Sequence, residues 1–305
     1  MYQLLALLAG AAISVMVAVN GDLTAGMGVF RAAAVIHVVG VVFSYFLCRL
    51  KKVQLFKKAP VPLWAYLGGA TGVLTTLFNN YDYAHLSMTS IVALGLLGQC
   101  VTSNFLDAFG LLGMDRRPVR RSTWVGILLS CAGVGVMLGG VSGGNFGAML
   151  LALVTGGTVV VSRVINARLS RGTGALAGSF YNHLVGLPFC AVLAAAIPAA
   201  GDAGVGSLRP WMFSGGIFGV ALVVLFNVTV PKLSAFRVTL LSFIGQIFAG
   251  AAIDLALGRT ASPALFWGGL LSALGLLAGM LLEWLESRRE QQKEKAAAPD
   301  GAAPK

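Results

Sequence analysis

The chain has 305 residues, of which 57% are apolar and 40 are glycine, while only 11% carry a charge. A soluble domain carries about 25% charged residues, so this composition excludes a water-soluble enzyme, a nucleic-acid-binding protein and a disordered chain. The net charge of +11 is therefore interpreted through its distribution across a membrane. Composition predicts an all-α polytopic membrane protein.

Ten apolar stretches are each close to the length of about 20 residues that a membrane-crossing helix needs. The first stretch lacks a cationic leader, so we expect it to be retained as a span and not cleaved as a signal peptide. The connections are too short for a further domain, and the charged, Ala- and Pro-rich residues 285–305 are expected to form a disordered tail. The predicted spans are 3–20, 31–48, 62–81, 88–109, 123–141, 146–164, 175–197, 211–228, 237–256 and 264–284.

The basic residues divide unevenly between the two sides of this layout. We call the side that holds the N-terminus side A and the opposite side B. Side B receives only Arg31, Arg209 and Arg259, so the positive-inside rule predicts that side A, with both termini, is cytoplasmic. The nineteen basic residues assigned to side A are Arg49, Lys51, Lys52, Lys57, Lys58, Arg116, Arg117, Arg120, Arg121, Arg163, Arg168, Arg171, Lys232, Arg237, Arg288, Arg289, Lys293, Lys295 and Lys305.

The chain also repeats itself at an offset of 146–147 residues. Polar residues and glycines coincide along both copies, and the clearest matches are Asn20 with Asn166, His37 with His183, Trp64 with Trp211, Asn80 with Asn227, Gln99 with Gln246, and Asp107 with Asp254. Each copy holds five spans. Because five is odd, the second copy enters the membrane from the opposite side, and the two repeats are predicted to be inverted. Such repeats are typical of transporters that work by alternating access.

The predicted organisation is therefore a first five-helix repeat over 1–141, an inter-repeat loop at 142–145, a second repeat over 146–284 and the tail. The amino-acid sequence of the repeats also resembles that of a known family. The strings VNGDL and INARL, the starts WxxLGG and WxxSGG, and the segment GQCVTSNFLDAFGLLGMDRRP are similar to the YdcZ branch of the drug/metabolite transporter superfamily. The second repeat departs from this pattern, because Asp254 is followed by LALGRTASP without the paired arginines.

This resemblance implies an exporter of the bacterial inner membrane, built as a tandem fusion of two five-helix units. It implies transport more firmly than any particular cargo. We expect a small-molecule substrate, the lipid bilayer and protons as partners, and a monomer or a weak homodimer as the oligomeric state.

Polar side chains inside a membrane usually face the protein interior or a wet cavity, which makes them candidates for the transport pathway. Gln99 and Gln246 lie near the middle of their spans and are expected to line the cargo site. Asn20, His37, Asn80 and Asp254 are placed toward side B, and Asn166, His183, Asn227 and Asp107 toward side A. We assign the asparagines to substrate binding. The acids and histidines are assigned to proton coupling or gates, in which His37 meets Asp254 and His183 meets Asp107.

Structural interpretations of the same residues stay open at this point. The two aspartates can cap helices or pair with Arg117 or Arg259. The glutamines can form inter-helix hydrogen bonds, and Asn20 and Asn166 can end their helices because Asn tolerates turn geometry. The histidines can be packed neutral side chains. No basic residue is assigned to mid-depth, which favours neutral or cationic cargo over anions.

The sequence contains no HExxH, CxxC, GxSxG or GxxxxGK[ST] string, so we expect no metal or other cofactor and no ATP hydrolysis. Energy is then expected to come from an ion gradient, with a proton as the leading candidate. The favoured function is secondary transport of a small metabolite or drug-like molecule. The alternatives are a non-transporting assembly or sensor subunit and an intramembrane enzyme that acts on lipid head groups.

Overall fold

The computed structural model describes residues 1–56, 60–86, 88–117, 121–138, 146–197 and 208–256, together with 263, 267–272, 274–275, 278–279, 281–282, 285–286 and 288–289. The α-helices with assigned bounds in this part are α1 Tyr2–Met27, α2 Val29–Leu50, α3 Gly68–His85, α4 Met88–Phe109, α5 Arg121–Leu138, α6 Phe146–Thr173, α7 Ala175–Ala196, α8 Gly215–Thr229 and α9 Ala235–Ala256. Short 3₁₀ turns at Leu63–Leu67 and Pro210–Ser214 lead into α3 and α8.

These helices confirm the all-α membrane fold that the apolar stretches predict. Five helices are long and apolar enough to cross a membrane by length and composition, within the residues that the structure describes: Tyr2–Met27, Val29–Leu50, Phe146–Thr173, Ala175–Ala196 and Pro210–Thr229. The tenth predicted span, 264–284, is described only in pieces, and those pieces are helical. The predicted loop at 142–145 and most of the predicted tail lie outside the described residues.

The expectation that Asn20 and Asn166 end their helices is wrong. Each asparagine is followed by seven more helical residues, and the helices end instead at Gly28 and Gly174. Both glycines have positive φ angles, 81° and 87°, which a residue without Cβ adopts at no steric cost. The turn between the first and second helix of each repeat is therefore built in the same way in both copies.

The two repeats pack around a pseudo-two-fold axis, and equivalent contacts occur in both. Helix α1 runs against α9, as α6 runs against α4, and α2 crosses its own counterpart α7. A Cβ atom added to Gly10 would clash with the carbonyl oxygen of Ser242, and one added to Gly156 would clash with the carbonyl oxygen of Gly95. Small residues let helix backbones approach this closely. The two interfaces are therefore copies of one packing arrangement.

The side-A half of the bundle contains a tightly packed apolar cluster. It joins the side-A ends of five helices, α1, α4, α6, α8 and α9, which come from both repeats. We call it the side-A plug; its most buried members are Ala6, Ala9, Val160, Val164, Ala167, Val230 and Val238. Because dense apolar packing excludes water, the bundle is closed at this side.

Candidate functional site

The two repeats bring a partly buried arginine, Arg163, onto the predicted cargo-site glutamine. Gln99 lies at the middle of α4, and Arg163 lies on α6, ten residues before that helix ends. The Arg163 Nη2 atom donates a hydrogen bond to Gln99 Oε1 at 2.9 Å. Helical side chains lean toward the N-terminus of their helix, so the guanidinium group reaches from the side-A half back toward mid-membrane.

Among the residues that the structure describes, the surroundings of Arg163 supply no counter-charge. The guanidinium carbon lies 4.6 Å from the centroid of the Phe226 ring. The Nη1 atom is shielded from solvent and has no hydrogen-bond partner. The described part of the chain places no carboxylate in ion-pair contact with this group. Arg163 therefore presents unused N–H donors on one edge, while Phe226 covers a face and Gln99 holds Nη2.

Arg163 is the functional candidate that the sequence interpretation missed. Arg163 stood next to the expected end of its span, at 164, and was counted with the cations of the side-A loops, but α6 continues to Thr173. The expectation that no basic residue lies at mid-depth is therefore wrong, and with it the preference for neutral or cationic cargo loses its basis. The repeat itself carried a signal, because the position equivalent to Arg163 is Val17, inside the first span.

The second glutamine has a different environment from the first. Gln246 Nε2 donates to the carbonyl of Ser242 in its own helix at 3.3 Å, and Ser14 Oγ donates to the Gln246 carbonyl at 2.9 Å. Gln246 thus has no equivalent of the bond between Gln99 and Arg163. The centre of the bundle is symmetric in backbone but asymmetric in charge.

The asparagine pairs lie where helices of the two repeats begin. Asn166 packs against Gly68 at the start of α3, and Asn20 packs against Gly215 at the start of α8. Asn166 Nδ2 donates to Asn182 Oδ1 at 2.8 Å, and Asn227 Nδ2 donates to the carbonyl of Ala175 at 3.0 Å.

The amide oxygens of Asn20, Asn166 and Asn227 are buried without a hydrogen-bond partner. Asn166 and Asn227 therefore join helices on side A, and their contacts give no direct indication of a ligand. Their assignment to substrate binding stays a prediction.

The histidines meet each other, which corrects the predicted depths. The ring centroids of His37 and His183 lie 5.7 Å apart, so the two side chains share the middle of the bundle and do not occupy opposite ends. His37 Nδ1 donates to the carbonyl of Ala33 at 2.9 Å, and His183 Nδ1 donates to the carbonyl of Ser179 at 2.8 Å. The predicted contact of His183 with Asp107 is absent from the structure.

Asp107 instead caps a helix of the opposite repeat. Its two carboxylate oxygens accept hydrogen bonds from the backbone N–H groups of Ala235 and Phe236, at 3.0 and 2.9 Å. These groups open α9 and have no intrahelical acceptor. Next to this link, the hydroxyl groups of Ser103 and Thr239 are 2.9 Å apart. The interpretation of Asp107 as a helix cap is therefore confirmed, and the cap ties the first repeat to the second at side A.

A further buried acid was not identified from the sequence. Asp82, in α3, has no exposed surface, and Thr155 of α6 donates a hydrogen bond to its Oδ2 atom at 3.2 Å. The Oδ1 atom has no partner. The predicted span ended at 81, so Asp82 was assigned to a loop, whereas α3 continues to His85. The side chains of two predicted site residues, Asn80 and Asp254, lie outside the described part of the structure.

Equivalent polar residues of the two repeats are buried to different extents, both at the ends of the bundle, where the asparagines lie, and at its middle, where the histidines meet. Asn166 and His183 of the second repeat are 5% and 4% exposed. Their counterparts Asn20 and His37 are partly exposed. The N-terminal end of α3, against which Asn166 packs, therefore covers its asparagine more fully than the N-terminal end of α8 covers Asn20. No group of three or more His, Cys, Asp or Glu residues that could hold a metal occurs in the described residues.

Comparison with known proteins gives one family and one fold. A family model described as "Putative inner membrane exporter, YdcZ" matches residues 1–136 and again 147–282. A solved structure titled "Crystal structure of protein" is similar, with a TM-score of 0.66 and 19% sequence identity, and the match covers 92% of this chain and 96% of that one. At this identity the likeness shows the fold alone. No curated protein matches the chain.

Proposed function

The chain belongs to the YdcZ family of inner membrane exporters, and on this premise we propose that it carries a small molecule across the membrane by alternating access. The cargo is moved without chemical change. Side A is the cytoplasmic side, with both termini, and the favoured direction is export. Reassigning Arg163 to the membrane interior leaves eighteen basic residues on side A against three on side B, which still supports this orientation.

The observation that carries the proposal is the unequal burial of equivalent residues. Inverted repeats place the same chemical group at both ends of one pathway. Here Asn166, toward side A, is 5% exposed, while its counterpart Asn20, toward side B, is partly exposed. The two histidines at the middle of the bundle differ in the same sense, since His183 is 4% exposed and His37 is partly exposed. If the two repeats exchanged conformations, the more exposed residue of each pair would become the buried one. A bundle with two near-equivalent arrangements of this kind can open first to one side and then to the other.

We assign the structure to a state closed toward side A. The side-A plug and the two bonds from Asp107 to α9 join the repeats at this end. We propose that both are released when the bundle opens to side A. The arginine site lies next to the plug, since Phe226 belongs to that cluster and also stacks on Arg163. Opening of the plug would therefore expose the site to the cytoplasm.

We propose the proton gradient as the energy source and Asp82 as the proton carrier. An ionisable side chain inside the membrane is costly and usually functional. Asp82 is fully buried, has one carboxylate oxygen without a partner, and contacts Thr155 of the opposite repeat. Protonation of a group between the repeats can bias which arrangement they adopt. Asp107 is a weaker candidate because both of its oxygens already accept backbone bonds.

Flux through reconstituted protein tests the proposal. Proteoliposomes would be given labelled gluconate, choline or alanine, as an anion, a cation and a zwitterion, with and without a pH gradient. The matched control is the same protein carrying Ser103→Cys and Thr239→Cys, with the four native cysteines replaced. The hydroxyl groups at these positions are 2.9 Å apart, so oxidation should form a disulfide across side A.

The proposal predicts saturable uptake of at least one probe that stops on oxidation and returns on reduction. Equal flux through the oxidised and reduced forms would contradict alternating access. Absence of uptake for all three probes would contradict transport of these classes of molecule.

A further inference from the structure

An uncompensated positive charge in the middle of a membrane protein calls for a partner. Burying a charge is tolerated when it is paired and hydrogen-bonded. Arg163 has an amide oxygen and an aromatic ring as its contacts, and its Nη1 atom is buried without an acceptor. Asp107 of α4 and Asp82 of α3, on two helices that pack against α6, have other partners: Asp107 binds the start of α9 and Asp82 accepts from Thr155. The missing partner is thus an anion that the described residues do not supply.

The orientation of the guanidinium group indicates how such an anion would bind. Guanidinium presents planar N–H donors that match a carboxylate or a phosphate. Gln99 fixes one amino group and Phe226 covers one face. The Nη1 group, with two N–H bonds, is left for a ligand oxygen.

We propose that Arg163 anchors the carboxylate of a small monocarboxylate cargo, with Gln99 as the residue that orients the guanidinium group. A single negative charge balances the single arginine and leaves the complex neutral at mid-membrane, whereas a phosphate dianion would leave an unpaired negative charge there. The use of this site in transport rests on the proposed function. Its binding chemistry does not, because binding is measurable on protein that transports nothing.

The site belongs to one repeat only. The position equivalent to Arg163 is Val17, whose side chain is 50% exposed, and Gln246 bonds within its own helix. One cargo anion per chain is therefore expected, off the pseudo-two-fold axis and on the α4–α6 side of the bundle.

Ligand binding to the purified full-length protein tests this inference. Benzoate and gluconate serve as monocarboxylates, inorganic phosphate, at a pH above its second pKa, as a dianion, and choline as a cation. Each is titrated at constant chloride while heat of binding and thermal unfolding are followed. Arg163→Gln removes the charge and keeps a polar amide group. Arg163→Lys keeps the charge but lacks the planar guanidinium group that can donate two parallel hydrogen bonds. The matched control is Arg168→Gln, the same change five residues further along α6.

We expect at least one monocarboxylate to bind and stabilise the wild type and Arg168→Gln, and choline to have no effect. Removing a hydrogen bond to a charged group lowers affinity by about 10- to 150-fold, and we expect that loss in Arg163→Gln. Arg163→Lys should fall between the two. Without ligand, Arg163→Gln should unfold at the same or a higher temperature, because the unpaired charge is gone.

Unchanged monocarboxylate affinity in Arg163→Gln would overturn the inference, as would tighter binding of phosphate than of either monocarboxylate, or no binding of any anion. If Arg163→Gln does not fold, Gln99→Ala decides the matter, since release of the guanidinium group should weaken monocarboxylate binding several-fold. Binding that depends on Arg163 without any flux would refute the proposed function and leave this site standing. Flux that does not change when Arg163 is replaced would support the proposed function and refute Arg163 as the site that binds the cargo.

Discussion

Asp107 links the two repeats at the closed side, and its replacement should open that side. In Asp107→Asn the side chain keeps its shape and loses its charge. The single oxygen of the amide can still accept a hydrogen bond from α9, but the NH2 group that replaces the second oxygen faces a backbone N–H and cannot accept one. At least one of the two bonds to Ala235 and Phe236 is therefore lost, and the other loses its charge assistance.

The size of the effect follows from these two bonds, which are 3.0 and 2.9 Å long. A hydrogen bond to a charged group contributes about 1.5–3 kcal/mol. If the link exists only when side A is closed, its loss shifts the balance toward the open arrangement by that amount. This corresponds to about a 10- to 150-fold increase in the population open to side A.

Thiol labelling from side A measures this population. Val164 lies in the side-A plug and is 1% exposed, so Val164→Cys in a background without native cysteines should react with maleimide only when the plug opens. Asp107→Asn should raise its reaction rate by the factor given above. Asp115→Asn, which changes an exposed acid on the same side, should not.

A second reporter separates opening from unfolding. Val17 on the other repeat is 50% exposed, and the reaction of Val17→Cys should stay constant or fall in Asp107→Asn, because opening of side A closes the region around it. Labelling of Val164→Cys that does not change, or that rises together with labelling of Val17→Cys, would refute this reasoning.

Two further substitutions test the packing and the coupling. Gly156→Ala places a methyl group against the Gly95 carbonyl and should lower the free energy of unfolding by about 1–3 kcal/mol. The control Gly95→Ala, whose Cβ would meet nothing within 4 Å, should have little effect. Equal melting temperatures for the two variants would contradict the close approach of α4 and α6. Asp82→Asn should abolish the stimulation of uptake by a pH gradient while exchange without a gradient continues, because the amide cannot take up a proton; retention of full stimulation would remove Asp82 from the coupling mechanism.

The sequence predicted the architecture because the signals were long and repeated. Apolar stretches of about 20 residues mark spans whatever their neighbours are, and α4 begins and ends where its stretch does, at 88 and 109. The repeat of His37 at His183 and of Gln99 at Gln246 extended the same inference to the inverted halves.

Arg163 and Asp82 were missed for one physical reason. Each lies within a few residues of the point where an apolar stretch is followed by polar residues, so each was assigned to a loop. In the structure, α6 runs nine residues past the expected end at 164, and α3 runs four residues past 81. Helix length in a membrane protein is set by packing as well as by hydrophobicity, and contacts between the repeats cover these polar ends.

The predicted contact of His183 with Asp107 failed for a different reason. Depth along a helix can be estimated from the sequence, but the crossing of α2 and α7 places His37 against His183, and crossing geometry depends on the packing of whole helices. The cap formed by Asp107 depends in the same way on where α9 begins relative to the end of α4. Neither the contact between the histidines nor the cap formed by Asp107 can be predicted from the spacing of residues along one repeat.

The central claim is that the two repeats exchange arrangements, and distances between spin labels at matched positions test it most directly. Phe109 and Lys232 are exposed on side A, and their counterparts at the repeat offset, His85 and Ala256, are exposed on side B. Each pair joins one repeat to the other.

Alternating access predicts two distance populations for each pair, with the short one on side A accompanying the long one on side B. We further expect Asp107→Asn to favour the long distance for the side-A pair and the short distance for the side-B pair. A single, unchanging distance for each pair across pH, lipid and the Asp107→Asn variant would contradict it.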